Sequence, residues 1–200
     1  MGKDTTKIAL LKTGARFLRE KGYNHTGIQE VLQATGVPKG SFYYYFKSKE
    51  DFGLEIIEND AREHNRVLKQ YLEDQSLSPL TRLRRYFEAK YAEFDSLECR
   101  EGCLLGNLGQ ELADQNERFR LRLEAIFGEW RDCYVDCLQQ AQAAGELSPD
   151  LDVCIVADFC LNSWEGALQQ MKVTKSPVPL QSFMSVMFDV VLTHPLVRPK

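Results

Sequence analysis

Long apolar stretches are missing from this 200-residue sequence, and none approaches the roughly 20 residues that a membrane-spanning helix requires. The first residues, MGKDTTK, contain no apolar core of a secretory signal, so we expect a cytoplasmic protein with no membrane partner. Strand signals are also scarce, because apolar and polar residues nowhere alternate over a sustained run and no Asn-Gly or Asp-Gly hairpin occurs. These absences leave helices as the main structural elements.

The sequence also lacks the usual signatures of an enzyme or a zinc protein. It has no glycine-rich phosphate loop and no HExxH motif. Its three histidines, His25, His64 and His194, are far apart, and none is paired in sequence with a cysteine. The six cysteines also lack the C-x2-C spacing that is common in structural zinc sites. We therefore predict no catalytic activity, no metal site and no cofactor.

Helix signals run along nearly the whole chain and predict an all-α fold of about nine helices. Thr26 with Gln29, and Ser48 with Asp51, fit the capping box that starts a helix. The expected helices lie at about 5–21, from Thr26, after Pro38, from Ser48 into the low seventies, from Ser78-Pro79, at 103–114, at 116–144, from Ser148 to about Lys172, and beyond Pro177-Val178-Pro179 to His194.

Charge is distributed unevenly along this helical chain. The formal net charge is −4, yet residues 1–50 carry nine basic residues against four acidic ones, which leaves 16 basic and 25 acidic residues for 51–200. A basic segment on an acidic body is typical of a protein that binds nucleic-acid phosphates at one end. We therefore place the division near residue 48, with a DNA-binding domain at 1–48 and a regulatory and dimerisation domain at 49–200.

The most specific pattern in the chain lies at residues 26–46, TGIQEVLQATGVPKGSFYYYF. A short capped helix is followed by Gly36, which permits a tight reversal. Pro38 then suits the first position of a second helix. Two short helices around such a turn form a helix-turn-helix, whose second helix enters the DNA major groove.

The segment VPKGSFYYYFKSKEDF, with the preceding TGIQEVLQATG and the helix expected near 5–21, resembles the signature of TetR-type (TetR/AcrR) bacterial transcriptional regulators. The resemblance covers about fifty residues. It implies a repressor that binds a palindromic operator in double-stranded DNA as a homodimer. It assigns DNA contacts to Thr26, Lys39, Gly40, Ser41, Tyr43, Tyr44 and Lys49.

These residues are expected to divide the task of binding DNA. Ser41 and Tyr43 would contact base edges or thymine methyl groups, and Lys39 a phosphate or a guanine edge. Phosphate contacts would come from the hydroxyl and amides at a Thr26 helix N-cap, from backbone that Gly40 lets approach closely, and from the Tyr44 and Lys49 side chains.

Three other aromatic residues of the second helix have different expectations. Phe42 and Phe46 are four positions apart, so they share one face, which we predict to be buried. Tyr45 stands where the family usually has histidine, and its role stays open. Because three consecutive tyrosines point around more than half of the helix, at least one of them must be exposed.

Two apolar stripes in the last two helices predict a dimer interface. They consist of Phe183, Val186, Met187, Val190 and Val191 on the last helix, and of Val156, Phe159, Ser163 and Ala167 on the helix before it. Two helices from each subunit would form a four-helix interface. The alternative is that both stripes complete the core of one subunit.

The cysteines suggest how the protein could be regulated. In a chain without a secretory signal they are not expected to form structural disulfides, and most should be small buried side chains. Cys103 differs because it follows Gly102 at the predicted start of a short helix, where a thiol has a lowered pKa. It lies in REGCLLGNLGQEL, which resembles the GCL element of the NemR-like, electrophile-sensing group of TetR-type regulators.

A second segment, WEGALQQMK, also resembles that group and contains Trp164 and Lys172. The resemblance implies an effector site at these two residues and Cys103, with release by a small-molecule effector or by modification of the thiol. Two alternatives stay open: Cys103 is a buried inert thiol, or a lipophilic ligand binds among the aromatic side chains of the helical body.

The predicted function is therefore a DNA-binding transcriptional repressor with redox or electrophile sensing. The alternative is a helical adaptor that binds other proteins through its apolar stripes, which would leave the basic, tyrosine-rich segment unexplained. An absence of salt-dependent DNA binding would favour the adaptor.

Overall fold

The computed structural model describes residues 3–193, and this part of the chain is helical with no strand. The helices are α1 (Lys3–Lys21), α2 (Ile28–Thr35), α3 (Lys39–Tyr45), α4 (Lys49–Leu72), α5 (Pro79–Ser96), α6 (Leu104–Leu112), α7 (Glu117–Ala143), α8 (Val153–Thr174) and α9 (Val178–Val186). A π-helix, Met187–Val191, continues α9. The prediction of an all-α fold is confirmed. None of the helices in residues 3–193 combines the length and apolar character that a bilayer crossing requires.

Several predicted helix ends are confirmed. The Ser48 hydroxyl oxygen accepts a hydrogen bond from the backbone N–H of Asp51 at 3.0 Å, which closes the first turn of α4. Gly22 and Gly145 have φ angles of 80° and 75° and follow the ends of α1 and α7. A left-handed residue after a helix is favoured at glycine, because glycine has no Cβ.

The capping box at Thr26 is wrong. α2 begins at Ile28, with Gly27 at the N-cap position and no side-chain cap. The Thr26 hydroxyl donates instead to the carbonyl of Gly22 at 2.7 Å, and Thr26 is only 3% exposed. The carbonyl groups at the end of a helix lack partners within it, so a hydroxyl four positions on satisfies one of them here.

Two boundaries in the C-terminal half also differ from the prediction. α8 begins at Val153, not near Ser148, because the carboxylate of Asp152 accepts hydrogen bonds from two N–H groups in its first turn. The break between the last two helices lies at 175–177, and the last helix, expected beyond Pro177-Val178-Pro179, begins within that segment. Pro177 is the N-cap of α9, and Pro179 lies in its first turn, where a backbone N–H would have no partner within the helix. The predicted end of this helix at His194 lies outside the described residues.

The chain forms two compact units. The first runs to His64 and includes Cys103–Glu124, while the second contains Asn65–Gly102 and continues from Ala125. The first unit is larger than the predicted 1–48 domain. About fifty residues bury only a small core by themselves, which agrees with a first unit that includes residues beyond 48.

Each unit has an aromatic core of its own. In the first unit Phe42 and Phe46 are buried, as predicted, and their ring centroids lie 5.2 and 4.9 Å from that of Phe52. In the second unit the ring of Phe87 lies 5.0 Å from the rings of both Trp164 and Phe183. Burial of such side chains supplies most of the driving force for folding.

Candidate nucleic-acid interface and cysteine site

α2 and α3 form the predicted helix-turn-helix. Gly36 ends α2 with a left-handed φ of 67°, and Pro38, with extended ψ of 146°, directly precedes α3. Val31 and Leu32 of α2 and Phe42 of α3 are buried. Both helices therefore turn apolar side chains into the core of the first unit, and the opposite face of α3 is left for other contacts.

The exposed face of α3 carries the residues predicted to contact DNA. Tyr43 and Tyr44 are 48% and 66% exposed, Lys39 is exposed, and Ser41 is half-buried. A Cβ at Gly40 would meet no atom within 4 Å, so packing inside the protein does not require glycine there. This observation is compatible with close approach of a backbone from another molecule.

The tyrosines of α3 are supported by neighbouring rings. The rings of Tyr44 and Tyr45 meet edge-on with centroids 5.1 Å apart, and Tyr43 makes the same kind of contact with Phe42 at 5.4 Å. Tyr45 itself is half-buried, with its ring 6.1 Å from that of Phe46. Its place between Tyr44 and Phe46 indicates that Tyr45 packs against the exposed tyrosine.

Lys49 is less open than a phosphate clamp was expected to be. Its ammonium lies 4.4 Å from the centroid of the Tyr23 ring and 3.5 Å from the carbonyl oxygen of Asn24. Burial lowers the pKa of Lys49, and the negative charge of Glu111 opposes this effect. Lys49 therefore holds the turn before α2, and a phosphate would have to share its N–H donors.

Thr26 is not placed as expected either, because its hydroxyl is buried on the carbonyl of Gly22. The first turn of α2 has no side-chain cap, so the donors expected there are its backbone N–H groups. Lys47, which is not among the predicted DNA contacts, is exposed just after α3. Other cations of this unit, such as Lys7 and Arg19, are already paired with carboxylates.

Cys103 stands at the N-cap of α6, which confirms its predicted place at the start of a short helix. Its Sγ accepts a hydrogen bond from the backbone N–H of Gly106 at 3.3 Å, and the residue is half-buried. An N–H donor and the positive end of a helix both favour a thiolate over a thiol.

Two family models match the chain. Residues 10–56 match the model described as "Bacterial regulatory proteins, tetR family", and residues 79–187 match "Tetracyclin repressor-like, C-terminal domain". The chain belongs to the TetR family. The resemblance seen in the helix-turn-helix segment is thereby confirmed and extends into the second unit.

Individual TetR-family relatives are similar over most of the chain. The HTH-type transcriptional repressor DhaR of Mycobacterium sp. (strain GP1) is 34% identical over 96% of this chain and 95% of its own length. The transcriptional regulator AcuR of Cereibacter sphaeroides is 41% identical over 88% of this chain and 80% of its own. A crystal structure of the reduced form of E. coli NemR is 26% identical, with a TM-score of 0.83, and covers 96% of this chain and 100% of that one.

In this TetR-family protein the other two predicted sensor residues lie in the second unit. Trp164 is buried between Phe87 and Phe183, with ring centroids 5.0 and 5.1 Å away. Lys172 is half-buried near the end of α8. Trp164 is therefore part of the packed core of its unit, as are the aromatic side chains of Phe87 and Tyr134.

The remaining cysteines differ in exposure, and none of the six forms a disulfide. Cys99, Cys137 and Cys160 are buried, whereas Cys133 is half-buried and Cys154 is exposed, so the expectation that most are buried is met by only three. Burial raises the pKa of Cys137 to about 11 and raises that of Cys160 as well. Neutral buried thiols of this kind are poor nucleophiles.

In the structure some residues of the two apolar stripes predicted for dimerisation are buried and others are exposed. Val156, Phe183 and Met187 are buried in the core of the second unit, as the one-subunit alternative expected. Phe159 of α8 is 45% exposed, Val186 of α9 is 47% exposed, and Val190 of the π-helix is 52% exposed. Phe159, Val186 and Val190 are therefore the exposed members of the two predicted stripes, and the interface itself stays a prediction.

Proposed function

We propose that this TetR-family protein is a transcriptional repressor that inserts α3 into the major groove of a palindromic operator. The observation that carries the proposal is the exposed face of α3, where Lys39, Tyr43 and Tyr44 stand on a buried Phe42. A rigid apolar base under exposed polar and aromatic groups suits base reading, because it fixes the positions of the donors. The names of DhaR and NemR describe repressors, which supports the same function here.

The proposed contacts follow from exposure. Tyr43, Ser41 and Lys39 would reach base edges, and Gly40 would allow the backbone of α3 to approach the DNA. Tyr44, Lys47 and Lys49 would contact phosphates. The N-terminal amides of α2 next to Thr26 would bind a further phosphate in place of the threonine hydroxyl.

The protein would act as a homodimer through the exposed parts of α8, α9 and the π-helix. One helix-turn-helix reads only a few base pairs, whereas two copies related by a two-fold axis read both halves of a palindrome. Phe159, Val186 and Val190 supply exposed apolar area for such an interface. A two-fold interface uses the same patch on both subunits, so it needs no second surface.

Direct binding measurements test the repressor. The protein would be titrated into DNA from upstream of its own gene, as wild type, Lys39→Ala and Lys69→Ala. Lys69 is exposed on the part of α4 in the second unit, so its substitution removes the same charge away from α3. We expect loss of affinity for Lys39→Ala only; equal affinities of the two variants would contradict the proposed role of α3.

Release from DNA would follow from a small-molecule effector or from covalent modification of Cys103. The thiol stands at a helix N-cap with an N–H donor, which is the setting of reactive cysteines. The crystal structure of the similar E. coli NemR is of a reduced form, which is a reason to test thiol chemistry in this protein. Trp164 and Lys172 remain proposed effector residues of the second unit.

A thiol-alkylating reagent tests this part of the proposal separately. Treatment with N-ethylmaleimide should weaken operator binding of the wild type and of Cys154→Ser, but not of Cys103→Ser. Cys154 is the matched control because it is the exposed cysteine, so it reacts without occupying the α6 N-cap. If alkylation does not change the operator affinity of wild type, the proposed repressor function stands and the proposed cysteine sensor is refuted.

A further inference from the structure

The turn between α1 and α2 presents two consecutive backbone N–H groups to one carboxylate. The left-handed Gly22, with φ of 80°, precedes them. The N–H of Tyr23 donates to Oε2 of Glu111 at 2.8 Å, and that of Asn24 donates to Oε1 at 2.7 Å. Successive N–H groups around such a residue form a concave site for an anion, and hydrogen bonds to a charged acceptor are stronger than neutral ones.

Other contacts of the same unit surround this carboxylate. Gln115, four residues after Glu111 and beyond the end of α6, accepts a hydrogen bond from the side-chain amide of Asn24 at 3.2 Å. A Cβ at Gly22 would lie 2.6 Å from Oε2 of Glu111, so any other residue there would require the carboxylate to move, and the positive φ also favours glycine. The turn is therefore shaped around Glu111.

The position of this turn determines where α2 begins. Thr26 donates its N–H to the carbonyl of Tyr23 at 3.1 Å and its hydroxyl to that of Gly22 at 2.7 Å. The next residue, Gly27, is the N-cap of α2. A shift of the turn would therefore move the N-terminal amides of α2, which are proposed to bind a DNA phosphate.

Glu111 belongs to the last turn of α6, and Cys103 caps the first turn of the same helix. α6 has nine residues, and a helix of that length spans roughly 13 Å. A short helix transmits a displacement along its axis because its backbone hydrogen bonds resist stretching. The thiol and the carboxylate therefore stand at the two ends of one stiff element of the first unit.

We propose that Glu111 is a positioning residue for DNA binding: its carboxylate holds the Gly22–Thr26 turn, and through it α2, in the arrangement that binds the operator. Modification of Cys103 would disturb the first turn of α6 and loosen this grip at the other end. The inference rests on the proposed function, since it assigns the contact by which α6 acts on the DNA-binding helices.

The substitution Glu111→Gln tests the contact directly. It replaces one acceptor oxygen by an NH2 group that faces a backbone N–H, so one of the two hydrogen bonds is lost and the other is no longer charge-assisted. Asp114→Asn is the matched control, because Asp114 is exposed just beyond α6 and its substitution removes the same charge. General electrostatics would strengthen DNA binding slightly in both variants, so a weakening confined to Glu111→Gln has a different cause.

We expect Glu111→Gln to bind the operator about tenfold more weakly than wild type, as one lost charge-assisted hydrogen bond allows, and Asp114→Asn to stay within twofold. Amide hydrogen exchange at Tyr23 and Asn24 should become faster in Glu111→Gln alone, with the rest of α1 unchanged. N-ethylmaleimide should also lower the operator affinity of Glu111→Gln by a smaller factor than it lowers that of wild type.

A second variant approaches the same contact from the turn and leaves α6 intact. Asparagine tolerates a left-handed φ, so Gly22→Asn mainly places a Cβ against the carboxylate of Glu111. Gly145→Asn is its control, because Gly145 has a φ of 75° and a Cβ there meets nothing within 4 Å. Gly22→Asn should weaken operator binding as Glu111→Gln does, and the double variant should be no weaker than either single one.

The outcomes separate this inference from the proposed function. If wild type binds the operator and Glu111→Gln binds it as tightly as Asp114→Asn does, the role of Glu111 is refuted and the repressor stands. If wild type binds no upstream DNA, the proposed function fails and this inference fails with it. If Glu111→Gln loses its helical circular dichroism, Gly22→Asn decides: weaker operator binding with the fold kept supports the inference, and unchanged binding overturns it.

Discussion

The ring of Phe42 packs edge-on against the ring of Phe52, with centroids 5.2 Å apart, and so fastens α3 to the beginning of α4. Both residues are buried, whereas Tyr44 on the same helix is exposed. α3 has only seven residues, so its helical form depends on this packing more than on propensity.

Removal of the buried ring should therefore destabilise the first unit. We expect Phe42→Ala to lower the free energy of unfolding by about 3–5 kcal/mol, and Tyr44→Ala to change it by less than about 0.5 kcal/mol. Chemical denaturation followed by circular dichroism measures both. Similar losses for the two variants would show that the exposed and buried faces of α3 are assigned wrongly.

Lys47 is expected to contact a phosphate, because it is exposed directly after α3. Lys47→Ala should weaken binding to operator and unrelated DNA alike, and should reduce the slope of log affinity against log salt by about 1.8, because the proposed dimer loses one phosphate contact in each subunit. Titrations at several salt concentrations give this slope, with Lys69→Ala as the control of equal charge. A slope identical to that of wild type would mean that Lys47 does not touch the DNA backbone.

Dimerisation should depend on the exposed apolar side chains of α8 and the π-helix. Phe159→Glu and Val190→Asp each place a charge on this surface, and burial of an unpaired charge opposes association. Light scattering after size-exclusion chromatography should then report monomers at micromolar concentration. Leu121→Glu is the control, since Leu121 is 50% exposed on the part of α7 in the first unit. A Leu121→Glu monomer, or a Phe159→Glu dimer, would exclude the proposed interface.

Native-state alkylation should distinguish the thiols. At pH 7 to 8 N-ethylmaleimide should modify Cys103 and Cys154, while Cys137 and Cys160 should stay unmodified until the protein is denatured. Burial raises the pKa of Cys137 from 9.0 to about 11. The neutral thiol therefore stabilises the folded state below pH 9, and this contribution is lost as the pH rises towards 11. Mass spectrometry of the peptides identifies the modified sites.

Local signals in the sequence were sufficient for much of the fold. The cap between Ser48 and Asp51 and the left-handed Gly36 involve residues within three or four positions, so the sequence order shows them. Phe42 and Phe46 were assigned to the core from their spacing alone. The exposed face of α3 was predictable for the same reason. Once Phe42 and Phe46 are assigned to the buried face, the helical period places the other side chains relative to them.

Contacts between distant residues were not predictable in this way. Glu111 meets the N–H of Tyr23 across 88 positions, and no pattern around Glu111 indicates that partner. The Thr26 hydroxyl could bond either to the amides of α2 or to the carbonyl of Gly22. The position of the turn decides between these two partners, and the sequence does not show that position. Similarly, the spacing of Val186 and Met187 does not tell which of them faces the core and which remains exposed.

The central claim, that α3 reads a specific DNA sequence, is tested most directly by one ratio of affinities. Binding would be measured at physiological salt to DNA from upstream of the gene and to an unrelated fragment of equal length. We predict that the upstream DNA binds at least about 10³-fold more tightly, as sequence-specific proteins do, and that Tyr43→Ala lowers this ratio. A ratio near one for the wild type would contradict the claim.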